Sequence, residues 1–584
     1  MRSLWCLSVL MLLVLPACSR RSPPGDPGKT ATGPSLRVDA EAPCRQTIDG
    51  FGTTGPYKVG TERWVHDLYY DDLGASILRV DLTPAFRAPY SDFLYNSPWF
   101  HKEPALPGPD GNNVRTYTDA SDYGRTWAGR RAAIAVMGPD LEKNVALFDY
   151  DAPAVKSFGT MARRGAKVPG FKLMGSLWSP PPWLKKSSGG HIEASVEVMP
   201  KGGTPWPFIW NGNFAGGVLD TSDEPRKELD DKKVGGTGPT SALTQLGRAF
   251  ASFVLGFQRK YDVRFHAISI QNELNFETFY NSCSYPRADG YVKALKAVRK
   301  AFDAHPELKD IQLMGPEDLI GTDAYALWQF GADQTAVHKN LQYVRAIASD
   351  PEAQAALGIY AVHAYAADGV SSSGNDPQMW RWWMDGWDKA PAEGLPDGVA
   401  GVRKYGKRSW MTESSGEKSQ WVTHDGSSYT ATAFGLALKI HHALTAGEQN
   451  GWIYWQITDG EPLKIEQLTD DRHRARAPKY VAAKHYFKHV RPGMCRVDVA
   501  LDQAKDVHAS AYRGEGGALT LVVLNASDDK QALGVRGGVP DAMQRFTSDD
   551  EKLWDESTAR KVRDAIEIEL PPYSVTTLVA KAER

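Results

Sequence analysis

From about residue 48 to residue 489, short β-type runs alternate with amphipathic helical stretches, and that alternation restricts the fold more than any other feature of the chain. It specifies βα units, whose strands lie parallel and are covered on both faces. Strand-like runs fall at 48–51, 75–80, 171–175, 267–270, 311–314, 359–363, 409–411 and 452–454. Between them Leu243, Leu246, Phe250, Phe253, Val254 and Phe257 recur at helical spacing, as do Leu295, Val298 and Phe302. Eight such strands with intervening helices imply an α/β fold, a (β/α)8 TIM barrel over 49–489. Past residue 492 the texture changes to alternating strands and glycine turns, as at 519–524 and 565–570, so 490–584 reads as a β-sandwich. Two connections, 84–143 and 178–240, are long, polar and rich in Gly and Pro, and are expected to decorate the C-terminal face of the barrel. No internal repeat, coiled coil or Walker-type loop is present.

Two of the strand-like runs end in a carboxylate: Ala267-Ile268-Ser269-Ile270-Gln271-Asn272-Glu273 and Arg408-Ser409-Trp410-Met411-Thr412-Glu413. The C-terminal ends of barrel strands are where barrel chemistry resides. Cleaving an acetal needs an acid to protonate the leaving oxygen and a second carboxylate to attack or stabilise the oxocarbenium-like carbon from the other face. One glutamate cannot do both. Either residue alone would read as a solvated loop carboxylate; the pair, on two strand exits, is what points to glycosidic bond cleavage.

The 584 residues, 42% of them hydrophobic, suffice for one large core and a smaller one. A formal net charge of -2 argues against nucleic acid as a partner, since phosphate binding calls for a basic excess. The 18 Trp and 23 Tyr suit a carbohydrate cleft, although most aromatics in any chain are ordinary core. No His/Cys cluster has metal-ligand spacing, and neither metal nor cofactor is expected. Residues 1–18 read as an export signal: Arg2 supplies the positive end, residues 4–15 the apolar stretch, and Ala17-Cys18 a lipoprotein-type exit at which Cys18 would be acylated. Pro16 is not the preferred residue there, so plain secretion is the alternative to an outer-membrane or cell-surface lipoprotein. Residues 19–36, rich in Pro, Gly, Ser and Thr, read as a flexible tether. After the signal only Cys44, Cys283 and Cys495 remain, and in an oxidising compartment one pair and one leftover is the simplest arrangement.

Several stretches, in order along the chain, resemble glycoside hydrolase family 30, in the clan of retaining barrel enzymes. They are Thr47-Ile48-Asp49-Gly50-Phe51-Gly52, Leu78-Arg79-Val80, Trp178-Ser179-Pro180-Pro181-Pro182-Trp183-Leu184-Lys185, Ile270-Gln271-Asn272-Glu273, Trp410-Met411-Thr412-Glu413 and Gly451-Trp452-Ile453-Tyr454-Trp455. The tail adds Tyr486-Phe487, Arg491-Pro492-Gly493 and the run from Leu570 to Thr577. The resemblance implies Glu273 as acid/base at the end of strand four and Glu413 as nucleophile at the end of strand seven. It implies further that Asn272 holds the sugar 2-hydroxyl, that Arg79 keeps Glu413 ionised, and that His363 or Tyr365 hydrogen-bonds the nucleophile. Trp455 is expected as the platform under the reacting sugar and Trp178 as a second wall. Family members commonly have Pro after the acid/base glutamate, whereas Leu274 follows here, which marks a divergent branch.

The implied activity is retaining hydrolysis of a β-linked polysaccharide or oligosaccharide by a monomer. The run from Tyr280 to Tyr285 resembles xylan-directed branches, while β-1,6-glucan and galactan remain open. A non-catalytic glycan-binding surface lipoprotein on the same scaffold is the rival reading. The resemblance also implies that an N-terminal strand, 37–48, joins the sandwich. Cys44 and Cys495 then flank the two passages between barrel and sandwich and would pair, leaving Cys283 free; three unpaired thiols are the alternative.

Overall fold

The barrel strands are Gly50–Thr54, Ile77–Asp81, Lys172–Ser176, Phe265–Ser269, Gln312–Leu319, Leu357–His363, Arg408–Glu413 and Gly451–Tyr454. Each lies parallel to the next in chain order, and the eighth pairs back onto the first to close the ring. This is the (β/α)8 barrel that the alternation specifies. These strands belong to a computed structural model that describes residues 33–82, 85–87, 134–178, 180–186, 218–274, 285, 287–320, 336–365, 375–391 and 396–582, with short strands at 106–107, 113–114, 208–210 and 213–215. The expectations for the signal at 1–18, for Cys18, for most of the tether at 19–36, for Cys283 and for much of the two long connections fall outside the described residues. Among the described residues no helix is long and apolar enough to cross a membrane.

The alternation of side chains along a strand explains where the polar groups of the site come from. Ile77, Met174, Ala267, Met314, Ile359, Ala361, Trp410 and Ile453 form a separate buried cluster inside the ring. Two residues further along, on the same inward face, come Arg79, Ser176, Ser269, His363, Thr412 and Trp455. The barrel is therefore packed apolar in its middle and polar at its C-terminal mouth. Below the apolar layer Trp410 donates its indole N–H to Asp49 Oδ2 (2.9 Å), and Arg408 pairs with the other oxygen of Asp49. Outside the ring, helix Ala242–Tyr261 starts where the Ser241 hydroxyl accepts from the Thr244 N–H (3.2 Å), and it buries the Leu243-to-Phe257 stripe.

The C-terminal strands, from Cys495–Val497 to Ser574–Ala580, form one continuous eleven-stranded arrangement with the two N-terminal strands, folded over its own apolar core of Leu36, Val38, Val497, Leu521, Val535, Ile566, Leu578 and neighbours. The N-terminal strand begins earlier than the sequence suggests: Ser35–Val38 is already extended, inserted between Val499–Asp502 (antiparallel) and Gly534–Gly537 (parallel). The tether expected to run to residue 36 thus ends before Ser35, because Leu36 and Val38 present an alternating apolar face that the sandwich buries. Gln46–Thr47 then pairs antiparallel with Cys495–Arg496. Between these two strands Cys44 forms a disulfide with Cys495, with 5.5 Å between Cα atoms and 451 residues of separation. A loop of that length corresponds to on the order of 5 kcal/mol in the chain-entropy account, though measured gains are often smaller.

Barrel and sandwich meet along helices Ala433–Thr445 and Pro478–Phe487, and the seam is lined with histidines. His485 bridges Thr577 Oγ1 and Ser548 Oγ, each at 2.8 Å, while His489 stacks on Phe546 and Trp554. His441, His442 and His508 form a second group, with ring centroids 5.4–5.6 Å apart. Burial, reinforced by neighbouring His, Lys and Arg charges, holds His442 and His489 down at about 4 and His485 at about 3. Imidazoles of the unfolded chain titrate near about 6.5, so the unfolded chain takes up protons that the folded seam refuses. The stabilisation is complete above about pH 6.5 and is lost progressively as pH falls from there through about 4. Melting temperature should drop steadily across this window and less steeply in His485→Gln; a flat profile would contradict the burial of the seam.

Candidate active site

A strand that must present a side chain above the barrel has to turn sharply once it leaves the sheet. Beyond the fourth strand the backbone does so at Glu273, whose φ is +44°, and inside the fifth strand a similar turn comes at Glu317, whose φ is +58°, where the register with the sixth strand shifts between Pro316 and Asp318. Left-handed φ at two non-glycine residues costs of order 1–3 kcal/mol each and persists only where the surroundings dictate it. Here the two turns are tied together, since the Glu273 N–H donates to the Glu317 carbonyl (2.9 Å), while the Asn272 N–H donates to Leu177 O (2.7 Å). The result faces Glu273 toward Glu413 at the end of the seventh strand. Oxygens of the two carboxylates and the nearest His363 nitrogen all lie within 4.8 Å of one another.

The environments of the two glutamates differ. Glu413 Oε2 accepts from Arg79 Nη1 at 2.5 Å, and its Oε1 accepts from the Tyr365 hydroxyl. Glu273 Oε1 is met by His363 Nδ1 at 2.9 Å. Burial, followed by the charge of Glu413, raises the Glu273 carboxyl above the ordinary glutamate range, against the pull of His363 and Arg79. One carboxylate is thus held by a permanent cation and a hydroxyl, while the other is biased toward its protonated form. The same trio has the reach to surround a metal ion, but Arg79 already occupies Glu413, so the donor set is arranged around protons.

Arg79, on the second strand and 1% exposed, is the hub. Besides Glu413 it donates through Nη2 to Asn272 Oδ1 (2.5 Å), through Nη1 to Thr54 Oγ1 (3.3 Å) and through Nε to Glu317 Oε1 (3.2 Å). Glu317 has no exposed surface, and its other oxygen accepts from Ser176 Oγ at 2.6 Å. Burial alone would raise this carboxyl, yet Arg79, His363 and Ser176 together bring it down to about 2. His363 Nε2 lies 3.4 Å from Glu317 Oε1, an ion-pair distance without hydrogen-bond alignment. Burial pulls the imidazole down, but the charges of Glu413, Glu273 and Glu317 prevail and push it up to about 10.

The aromatic residues are arranged differently from the expectation. Trp178 and Trp455 do not form opposite walls: their rings stack on each other with centroids 4.9 Å apart and planes 29° apart, so no sugar fits between them. They make one double platform, with Arg79 5.9 Å from the Trp455 ring centroid and Tyr57 edge-on to it at 6.2 Å. The period-two inward face already groups Trp455 with Ile453, whereas nothing local in the sequence says that Trp178 would lie against it.

The expected site residues Arg79, Trp178, Asn272, Glu273, His363, Tyr365, Glu413 and Trp455 are all brought to one mouth. Of the two candidates after the sixth strand, Tyr365 meets Glu413, and His363 sits among three carboxylates. Sequence reasoning missed Glu317, Ser176, Thr54 and Tyr57. Glu317 had a signal, because Pro316-Glu317-Asp318 prolongs the run at 311–314 into a third strand that ends in acid; the fifth strand extends to Leu319 rather than stopping at Met314.

Comparisons with known proteins agree with this architecture. The glycosyl hydrolase family 30 β-sandwich domain matches residues 493–578. Glucuronoxylanase XynC of Bacillus subtilis is 27% identical over 180 residues, 30% of this chain and 40% of the relative, so the chain spans less than half of the curated relative's length in that match. Among solved structures, a family 30 subfamily 8 xylanase, Xyn30A, from Clostridium acetobutylicum superposes with TM-score 0.57 at 18% identity, covering 94% of this chain and all of the other. The endo-β1,6-glucanase BT3312 does so with TM-score 0.56 at 12% identity, covering 95% and 96%. The C-terminal region thus carries the β-sandwich domain of glycoside hydrolase family 30, and the barrel-plus-sandwich fold is the one that the family 30 structures share.

Proposed function

We propose that this chain is a retaining β-glycoside hydrolase in which Glu413 is the nucleophile and Glu273 the acid/base. One observation carries the proposal: two buried carboxylates, one on Arg79 and Tyr365 and the other on His363, face each other with an oxygen of each within 4.8 Å. Retaining pairs sit about 5–5.5 Å apart, and inverting pairs are spaced wider to admit a water. Glu413, held ready by Arg79 and Tyr365, attacks the anomeric carbon while Glu273 gives its proton to the departing oxygen, leaving a glycosyl ester on Glu413. Glu273, now ionised, takes a proton from water, whose oxygen attacks the same carbon and releases Glu413. With its Oδ1 engaged by Arg79, Asn272 would offer its Nδ2 to the sugar 2-hydroxyl, a contact that strengthens as the ring flattens. The Trp178–Trp455 platform would support the apolar face of the reacting sugar.

The substrate class is a β-linked polysaccharide or oligosaccharide. Relatives that act on xylan favour xylan here, the likeness to an endo-β1,6-glucanase puts β-1,6-glucan second, and galactan is the third candidate. The sequence of residues 1–18 supports an exported protein, with Cys18 as the attachment point of a lipid. Wild-type protein should release products from one of these glycans and from an aryl β-glycoside, and proton NMR of the first anomer formed should show net retention. Release of the inverted anomer would overturn the two roles. Glycan binding without any turnover would favour a binding lipoprotein instead.

A further inference from the structure

Among the described residues five ionisable groups are in mutual contact at the mouth, Arg79, His363, Glu273, Glu317 and Glu413, none more than 6% exposed, and buried Asp81 stands behind them on the Tyr57 hydroxyl (3.3 Å). Buried charge is costly unless it is balanced. Within this contact network two cations meet three carboxylates, so one proton on a carboxylate balances it, and the contacts favour one site over the others. Glu317 accepts from Arg79 Nε and from the Ser176 hydroxyl and lies 3.0 Å from Arg79 Nη2, all of which favour its ionised form. Glu413 accepts from Arg79 and Tyr365. Glu273 faces His363 and the charge of Glu413, and it is the group that burial pushes up.

We infer that Glu317 is a positioning residue of the reaction: its carboxylate, fixed on Arg79 and 3.4 Å from His363, completes the charge balance that leaves the exchangeable proton on Glu273 rather than on Glu413. This rests on the reading of Glu273 and Glu413 as the reacting pair. Glu317 does not touch the sugar. It acts through Arg79, which it orients from the side opposite Glu413, through His363, and through its own carbonyl, which holds the backbone turn at Glu273. The same balance accounts for an imidazole that remains cationic well above neutral pH. When Glu273 surrenders its proton to the leaving group, the His363 cation at 2.9 Å stabilises the carboxylate that forms.

Glu317→Gln keeps the shape and removes one anion. The two remaining cations then favour ionisation of Glu273, so the basic limb of the kcat/KM profile should move to lower pH by about one unit or more. That shift should be seen with an alkyl β-glycoside, which needs the proton, and be absent with a dinitrophenyl β-glycoside, which does not. A uniform loss of rate on both substrates with the limb unmoved would overturn the inference and leave Glu317 as a mere anchor. If the variant does not fold, nitrogen-15 NMR of the wild type decides: a doubly protonated His363 at about pH 8 supports the balance, and a neutral imidazole there overturns it. Failure of the parent reading looks different, namely wild-type protein with no Glu413-dependent turnover, while the charge state of His363 is still measurable.

Discussion

Glu413→Gln should lower turnover of an aryl β-glycoside by on the order of 10⁴-fold or more, with the fold retained. The substitution keeps the side-chain volume at a position that is 3% exposed, and an amide oxygen still accepts from Tyr365, but an amide cannot form the glycosyl ester. Glu273→Ala should behave differently. Loss of the acid matters in proportion to how much the leaving group needs protonation, so a dinitrophenyl glycoside should retain far more of its rate than an alkyl one. Azide added to Glu273→Ala should give the β-glycosyl azide, because the small anion attacks the covalent intermediate without base assistance. The measurements are initial rates on the two substrates and the anomeric configuration of the azide product. Equal losses on both substrates from Glu273→Ala, or substantial turnover by Glu413→Gln, would remove the two-carboxylate mechanism.

Arg79→Met should destabilise the protein by about 3–5 kcal/mol and abolish activity together with it. The guanidinium is 1% exposed and lies 2.5 Å from Glu413 and 3.0 Å from Glu317. Removing it leaves two buried carboxylates without their shared cation, and the penalty comes from those orphaned charges more than from the lost contacts. A second substitution therefore gives the diagnostic result. Arg79→Met combined with Glu317→Gln should be more stable than Arg79→Met alone, because it deletes one of the charges left behind. Thermal unfolding of the single and double variants measures this. If Arg79→Met shifted the melting temperature by no more than an exposed substitution does, water would have to reach the network, against its burial.

What the chain determines by itself is whatever has a period or a strand exit. Side chains alternate along a β-strand by stereochemistry, so Ile77 and Arg79, or Ala361 and His363, share a face before any partner is known, and the βα alternation closes only one common kind of ring around them. Glu273 and Glu413 stood out for that reason, and so did the apolar stripe of helix Ala242–Tyr261. The tertiary structure alone decided the electrostatics. Arg79 and Glu413 are 334 residues apart in sequence and Arg79 and Glu317 are 238 apart, and the charge state of each depends on distances of a few ångströms that no local pattern encodes. Glu317 went unnoticed in the sequence because only the closed ring sets it against a buried cation. Trp178 likewise became part of a stacked platform with Trp455, and His363 came to face three carboxylates because three strands delivered them around it.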